Sequence, residues 1–285
     1  MMDTIMPDIP RFYTALAEWL ACMIFILPLK KRMAKKTIPL MAGALVVQSV
    51  FLVVTGNLMI YFWIPCMVIA VILMIGFIYG CCDIGSTDAI YFGMIAFVVA
   101  EFLASIEWQV VCFIWKGQMP ALWIRALLLI GIYGCIAFVL LKIMQTHLPK
   151  DGKMNISPKE LFSAQLIAIA VFAVSNLSFL TSNTPFSGTY SFEIGNIRTL
   201  VDIGGIAILY AHLIQCGELR VKKELEAVQN VLQNQYVQYK QSRESIDLIN
   251  YKYHDLKHQI AVLRSEEDPK KREEFLNRME EEIRH

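Results

Sequence analysis

Seven apolar stretches, at about residues 12–29, 38–56, 59–80, 89–115, 121–145, 160–181 and 197–216, occupy the first three quarters of this chain. A helix crossing a bilayer needs about 20 mostly apolar residues, because the hydrocarbon core is about 30 Å thick and each residue rises about 1.5 Å. Each stretch meets that length, and several are separated by only a few residues, which suits antiparallel helical hairpins. Composition agrees, with 56% hydrophobic and 18% charged residues against about 25% charged in soluble domains. From Gly217 onward the pattern changes to close alternation of Lys/Arg with Asp/Glu. The expected fold class is therefore all-α, a polytopic transmembrane helix bundle of about seven spans followed by a charged, soluble helical tail.

Connecting loops set the expected orientation, since Lys and Arg favour the cytoplasmic side. Lys30, Lys31, Arg32, Lys35 and Lys36 separate spans one and two, and Lys150, Lys153 and Lys159 separate spans five and six. The alternate connections, Thr55-Gly56-Asn57, Lys116-Gly117-Gln118 and residues 181–196, carry little positive charge. Asp3 and Asp8 precede the first stretch and Lys30-Lys31-Arg32 follow it, the reverse of a secretory signal, so it should stay in the membrane. The expected location is the plasma membrane, multi-pass, with the amino terminus outside and the tail in the cytoplasm.

The formal charge is +1, and the tail balances its signs rather than forming a basic patch, so no nucleic-acid partner is expected. All seven cysteines lie in or beside apolar segments and none is spaced with a histidine as a metal ligand, which implies neither disulfides nor a metal. Cys81-Cys82 reads either as an acylated juxtamembrane pair or, preferably, as two small hydrophobes at a helix end. Glu18, Glu101, Glu107, Arg125 and Asp202 are costly in lipid and should face the bundle interior or an interface. Glu101, Asp202 and Glu18 are the candidates for sensing a signal. The competing view is that Glu107 and Arg125 reach water near the outer boundary and that Glu18 is structural. The connection 181–196, with Phe186, Tyr190 and Phe192, could line an outer pocket or lie against the headgroups.

In the tail, steps of four and three link Val221, Leu225, Val228, Leu232, Gln235, Tyr239, Ser242, Ile246, Ile249, Tyr253, Leu256, Ile260 and Leu263. This heptad seam has no register break, and its two polar members, Gln235 and Ser242, are adjacent in the middle. A parallel homodimeric coiled coil over 217–245 is expected, stiff because no Gly or Pro interrupts it, with a soft middle that allows rotation or splaying. His254 follows the seam residue Tyr253 and lies on the helix flank, on the order of 57 Å beyond the membrane. A neutral imidazole is nucleophilic near pH 7, and the adjacent Asp255 can hold one ring nitrogen as donor while the other attacks. After it, Ser265-Glu266-Glu267-Asp268-Pro269 reads as a turn with Asp268 as N-cap. A second helix then carries Phe275, Leu276, Met279 and Ile283 on one face. Residues 246–285 would thus form a helical hairpin that dimerises into four helices. Two other readings of His254 compete. It could pair with His258, four residues on, as a zinc site, although no third ligand stands nearby; or both could be surface residues of a plain dimerisation tail.

The stretch Tyr251 to Ile260, which contains Tyr253-His254-Asp255-Leu256-Lys257-His258-Gln259, resembles the H-box of bacterial sensor histidine kinases of the GHKL type, the group that includes peptide-pheromone receptor kinases. The resemblance implies His254 as phosphoacceptor and Asp255 as general base, with Lys257 and His258 supporting. It also implies a phosphatase role for Gln259, from the Asp-x-x-x-Gln spacing of a related kinase group. It makes 1–216 a transmembrane sensor domain, 217–245 a signalling coiled coil and 246–285 a dimerisation and phosphotransfer hairpin with a shortened second helix. The implied partners are a second copy, a response regulator, membrane lipid and an extracellular peptide or small ligand. A GHKL ATPase domain needs glycine-rich segments, yet no glycine follows Gly217. ATP and Mg are therefore expected only with a separate catalytic domain, whether the chain is part of a longer kinase or a receptor phosphorylated in trans. A rival from another class is a non-enzymatic transporter-like or scaffold bundle with a coiled-coil tail.

Overall fold

A computed structural model describes residues 9–56, 58, 62–115, 120–148, 153–180, 191–265, 269–270, 273–274 and 276–278. The chain divides into two units, Met1–Val221 and Lys222–His285. Seven long helices account for the described regular structure: α1 (Arg11–Ile26), α2 (Ala34–Thr55), α3 (Trp63–Cys81), α4 (Ser86–Trp115), α5 (Leu122–His147), α6 (Pro158–Leu180) and α7 (Ser191–Ser265). Asp3, Asp8, Asn57, Lys116, Gly117, Gln118, Lys150, Asp268, Phe275, Met279 and Ile283 lie outside the described residues, as do 181–190.

Six of the seven helices are long and apolar enough to cross a membrane, and α1 is not. The sequence suggested a span over 12–29, but α1 has only 16 residues. Prolines flank both ends: Pro10 precedes the first turn, and Pro28, which has no N–H to donate, follows the αR cap residue Leu27. α6 starts on a capping box. Ser157 Oγ accepts from the Glu160 N–H at 3.4 Å, Glu160 returns an acceptor to the Ser157 N–H at 2.9 Å, and Pro158 fills the first helical position.

The first unit is organised around α4, which is buried around most of its circumference, whereas α2, α3, α5 and α6 bury one face. Phe25 stacks on Phe92 with ring centres 5.4 Å apart, and Phe172 meets both Trp63 and Phe97 at 5.4 Å. Tyr91, Ile95, Leu103, Met74 and Ile78 complete the interior. The outward faces are also apolar, as with Val46, Val50 and Val54 on α2 and Leu127, Ile130 and Phe138 on α5. Large exposed apolar surface of this kind needs lipid or another chain to cover it.

One end of this unit gathers the basic connections. Lys31 pairs with Cys82 in an antiparallel bridge, with Arg32 N–H to Cys81 O at 3.0 Å and Asp83 N–H to Lys30 O at 2.9 Å. The Lys31 ammonium donates to the carbonyls of Ile26, Leu27 and Leu29, closing the carboxyl end of α1. Burial lowers the pKa of Lys31, and those carbonyls are the partners its charge retains. Arg32 lies 4.3 Å from the Tyr79 ring centre. Asp88, in the first turn of α4, accepts from three successive backbone N–H groups, Met154 at 3.0 Å, Asn155 at 3.3 Å and Ile156 at 3.0 Å. Asn155 takes a φ of 51°, the left-handed conformation that lets three amides converge on one carboxylate. Arg220 of α7 donates to the Lys153 carbonyl of the same loop.

Candidate functional site

Two groups of polar residues are candidates, one in each unit. In the first, α7 is held to α4 and α6 by polar side chains in an otherwise apolar interior. Arg198 forms a salt bridge with Glu101. One turn on, Asp202 accepts from Ser175 Oγ at 2.8 Å and from Ser105 Oγ at 3.3 Å. Two residues before Arg198 and one after it, Asn196 accepts from the Gln109 amide of α4 and Thr199 Oγ1 donates to the Gln109 carbonyl at 2.7 Å. Further along α7, His212 lies 2.6 Å from Ser163 Oγ through Nε2 and 3.0 Å from Tyr91 OH through Nδ1. Each α7 member has a partner on α4 or α6 because a polar group in hydrocarbon stays unsatisfied unless another helix supplies the bond.

Of the three sequence candidates for sensing, the structure brings Glu101 and Asp202 into this one cluster. Glu18 lies apart, between α1 and α2, where Gln48 donates to it. Both Glu18 and Asp202 are almost wholly buried. Glu107 is fully buried too, so it does not reach water as the competing view supposed. Sequence reasoning passed over Arg198, Gln109, Ser105, Ser175, His212 and Asp88. For Arg198 a signal existed: it stands four residues before Asp202, so both lie on one helical face opposite an acid already marked in α4.

The second group lies on the carboxyl half of α7. His254, Asp255, Lys257 and His258 are exposed, and Gln259 is half-buried. The Gln259 amide approaches Asp255 Oδ2 at 3.5 Å, one turn away on the same face. Among the described residues no contact joins Asp255 to His254, so the carboxylate that would orient the imidazole is turned toward Gln259. Among the described residues no group of three or more His, Cys, Asp or Glu side chains is placed to hold a metal ion.

The chain matches no known protein-family model, curated protein or solved structure.

The α7 residues of the heptad seam are bare in the single chain. Val221, Leu225, Val228, Leu232, Tyr239, Ile246, Ile249, Tyr253, Leu256 and Ile260 are each between 41% and 68% exposed. Covering what remains open on each leucine and isoleucine is worth about 1 kcal/mol. Of the second helix proposed from sequence, residues 269–270, 273–274 and 276–278 are helical, and Leu276 is exposed.

Proposed function

We propose that this chain is the sensor and phosphoacceptor region of a membrane histidine kinase, with His254 the residue that takes up the phosphoryl group. The observation that carries the reading is the placement of His254 beside Asp255, exposed on α7 and flanked immediately on either side by the apolar residues Tyr253 and Leu256. A group that receives a phosphoryl from another domain needs open access, while its helix needs a partner to hold it in place. An imidazole on the flank of a two-chain stem meets both needs.

In this reading a second copy covers the seam, making a parallel coiled coil over 217–245 and a dimerisation hairpin over 246–285. The tail and the Lys30–Arg32 end of the bundle face the cytoplasm, as loop charge favours. Asp255 acts as general base once its rotamer turns from Gln259 to His254 Nδ1, drawing that proton while Nε2 attacks the γ-phosphorus of ATP in line, and the bond to the β–γ bridging oxygen breaks to release ADP. Gln259 then orients water for the reverse duty of dephosphorylating a response regulator. ATP and Mg are supplied by a GHKL catalytic domain. The single helix α7 carries both Asp202 and His254, so a signal that changes the Glu101–Arg198–Asp202 cluster acts on the element that bears the phosphoacceptor.

The test is phosphotransfer from a purified GHKL catalytic domain, with labelled ATP and Mg, onto the full chain in nanodiscs. Acid-labile, base-stable label is expected on the wild type and His258→Gln and absent from His254→Gln. Asp255→Asn should slow labelling by about 10²–10⁴-fold, the usual contribution of a positioned base. Label that persists in His254→Gln, or no label on any form, rejects this reading and favours a non-enzymatic bundle with a dimerisation tail.

A further inference from the structure

Glu107 of α4 has no exposed surface, and neither of its carboxylate oxygens has a hydrogen-bond partner among the described residues. A buried carboxylate left unpaired is costly, so a group of this kind points to something that it is built to meet. Its neighbours come from three helices. Trp108 follows it on α4, Tyr13 lies near the start of α1, and Arg125 lies near the start of α5.

The two rings meet edge to face with centres 6.3 Å apart. The Arg125 guanidinium sits 5.3 Å from the Tyr13 ring centre and 5.8 Å from that of Trp108. Tyr133 OH donates to the Tyr13 carbonyl at 3.2 Å, tying α1 to α5 and fixing the first wall of the box. Two aromatic faces, with a carboxylate in electrostatic reach of the same cation, are the chemistry that recognises organic cations. Here Arg125 supplies the cation, but only half of the match is made. Its guanidinium reaches the rings and its charge acts on Glu107 through space, but no contact ion pair joins the two among the described residues, and its Nε is buried without a partner. Its stem, rooted on α5, brings it to the rings and within electrostatic reach of the acid, but short of a hydrogen bond to it.

We propose that Tyr13, Trp108 and Glu107 form a binding site for a ligand-borne organic cation, a guanidinium or alkylammonium group, which Arg125 fills until the ligand displaces it. An untethered cation with N–H donors can meet the rings and hydrogen-bond the carboxylate together, whereas Arg125 acts on the carboxylate only through space. That difference in interaction is what lets a ligand shift the site from one state to the other. The site lies at the end of the bundle away from Lys30–Arg32, on the helix that also carries Glu101 and Ser105. As a statement about the signal it rests on the sensor reading above; as a statement about binding it does not.

The experiment uses the full chain in nanodiscs, with ethylguanidinium as probe, N-ethylurea as its neutral counterpart and tetramethylammonium as a cation without donors. Binding is read by tryptophan fluorescence and by the shift in thermal unfolding. Arg125→Ala vacates the box, so it should bind ethylguanidinium saturably and about tenfold more tightly than wild type. Adding Glu107→Gln should weaken that binding about tenfold, the equivalent of one charge-assisted contact. N-ethylurea should not bind, and tetramethylammonium should bind more weakly than ethylguanidinium. Competition by acetyl-arginine-amide assigns a peptide-borne cation, and its exclusion assigns a small free one. Absence of saturable binding to folded Arg125→Ala overturns the site, as does binding that Glu107→Gln leaves unchanged. If Arg125→Ala does not fold, the same comparison between wild type and Glu107→Gln decides. Labelling of His254 on the same preparations separates the two claims, since either can fail while the other stands.

Discussion

Removing the Arg198 guanidinium leaves Glu101 as a buried carboxylate without its countercharge. Breaking a buried pair from one side costs more than the pair contributes, because the remaining charge keeps its desolvation penalty. Arg198→Met should therefore lower stability by about 3–5 kcal/mol, and adding Glu101→Leu should recover most of the loss. Unfolding followed by circular dichroism in nanodiscs checks this; a double variant no more stable than the single one would show that the pair is not what Arg198 contributes. Cys82 allows a different test. It is fully buried, and burial raises its thiol to about 11, although Lys31 and Arg32 pull it the other way. A thiol with that pKa is about 0.1% thiolate at pH 8, and the thiolate is the reactive form. Alkylation at pH 8 should thus be indifferent to Cys82→Ser, and hydroxylamine should release no acyl group from Cys82. Acylation found there would restore the lipid-anchor view of the Cys81-Cys82 pair.

At the scale of the helix, two adjacent glycines of α7 give opposite predictions. A methyl group at Gly204 meets nothing within 4 Å, whereas one at Gly205 would stand 2.6 and 2.7 Å from the two methyls of Val171 on α6. Gly204→Ala should stabilise by about 1 kcal/mol through helix propensity. Gly205→Ala should destabilise by about 1–3 kcal/mol, because a β-branched neighbour has little freedom to move aside. Adding Val171→Ala should reverse much of that second loss, and thermal unfolding in nanodiscs distinguishes all three. This contact was not legible in the sequence, and the reason is general to the bundle. Hydropathy marks where a helix crosses lipid, so α2 to α6 could be read with boundaries within a few residues. It does not mark which face is buried, because Val50 toward lipid and Ile95 toward the core are equally apolar. The usual contrast between helix faces vanishes, and the central position of α4 vanishes with it. Only polar residues break the symmetry, which is why Glu101 and Asp202 could be singled out from sequence and Gly205 could not. The length of α1 was readable in principle from Pro10 and Pro28, but apolar composition alone ran the span on to residue 29.

For the molecule as a whole, the question is what covers α7 beyond Val221. A helix with exposed Leu232, Ile246 and Ile249 on one stripe and charges elsewhere is not a stable soluble element alone, since most helical stability in water comes from packing an apolar face. In the proposed dimer a second copy would supply a matching stripe in register, and in a parallel pair each seam residue would lie opposite its own counterpart. Cysteines placed singly at Leu225, Leu232 and Ile246, in a chain whose seven native cysteines are replaced, should therefore form interchain disulfides under mild oxidation. Cysteines at the flanking Glu226 and Gln233 should not, because one step around the helix turns the side chain about 100° from the partner. The soft pair Gln235 and Ser242 makes a finer expectation. Gln235→Leu with Ser242→Leu should stiffen the middle of the seam, raising the cross-linking yield at Tyr239→Cys while reducing any change in that yield caused by a ligand of the bundle. Equal cross-linking at seam and flank positions would mean that the stripe is not paired in register, and the phosphoacceptor reading of His254 would lose the two-chain stem on which it depends.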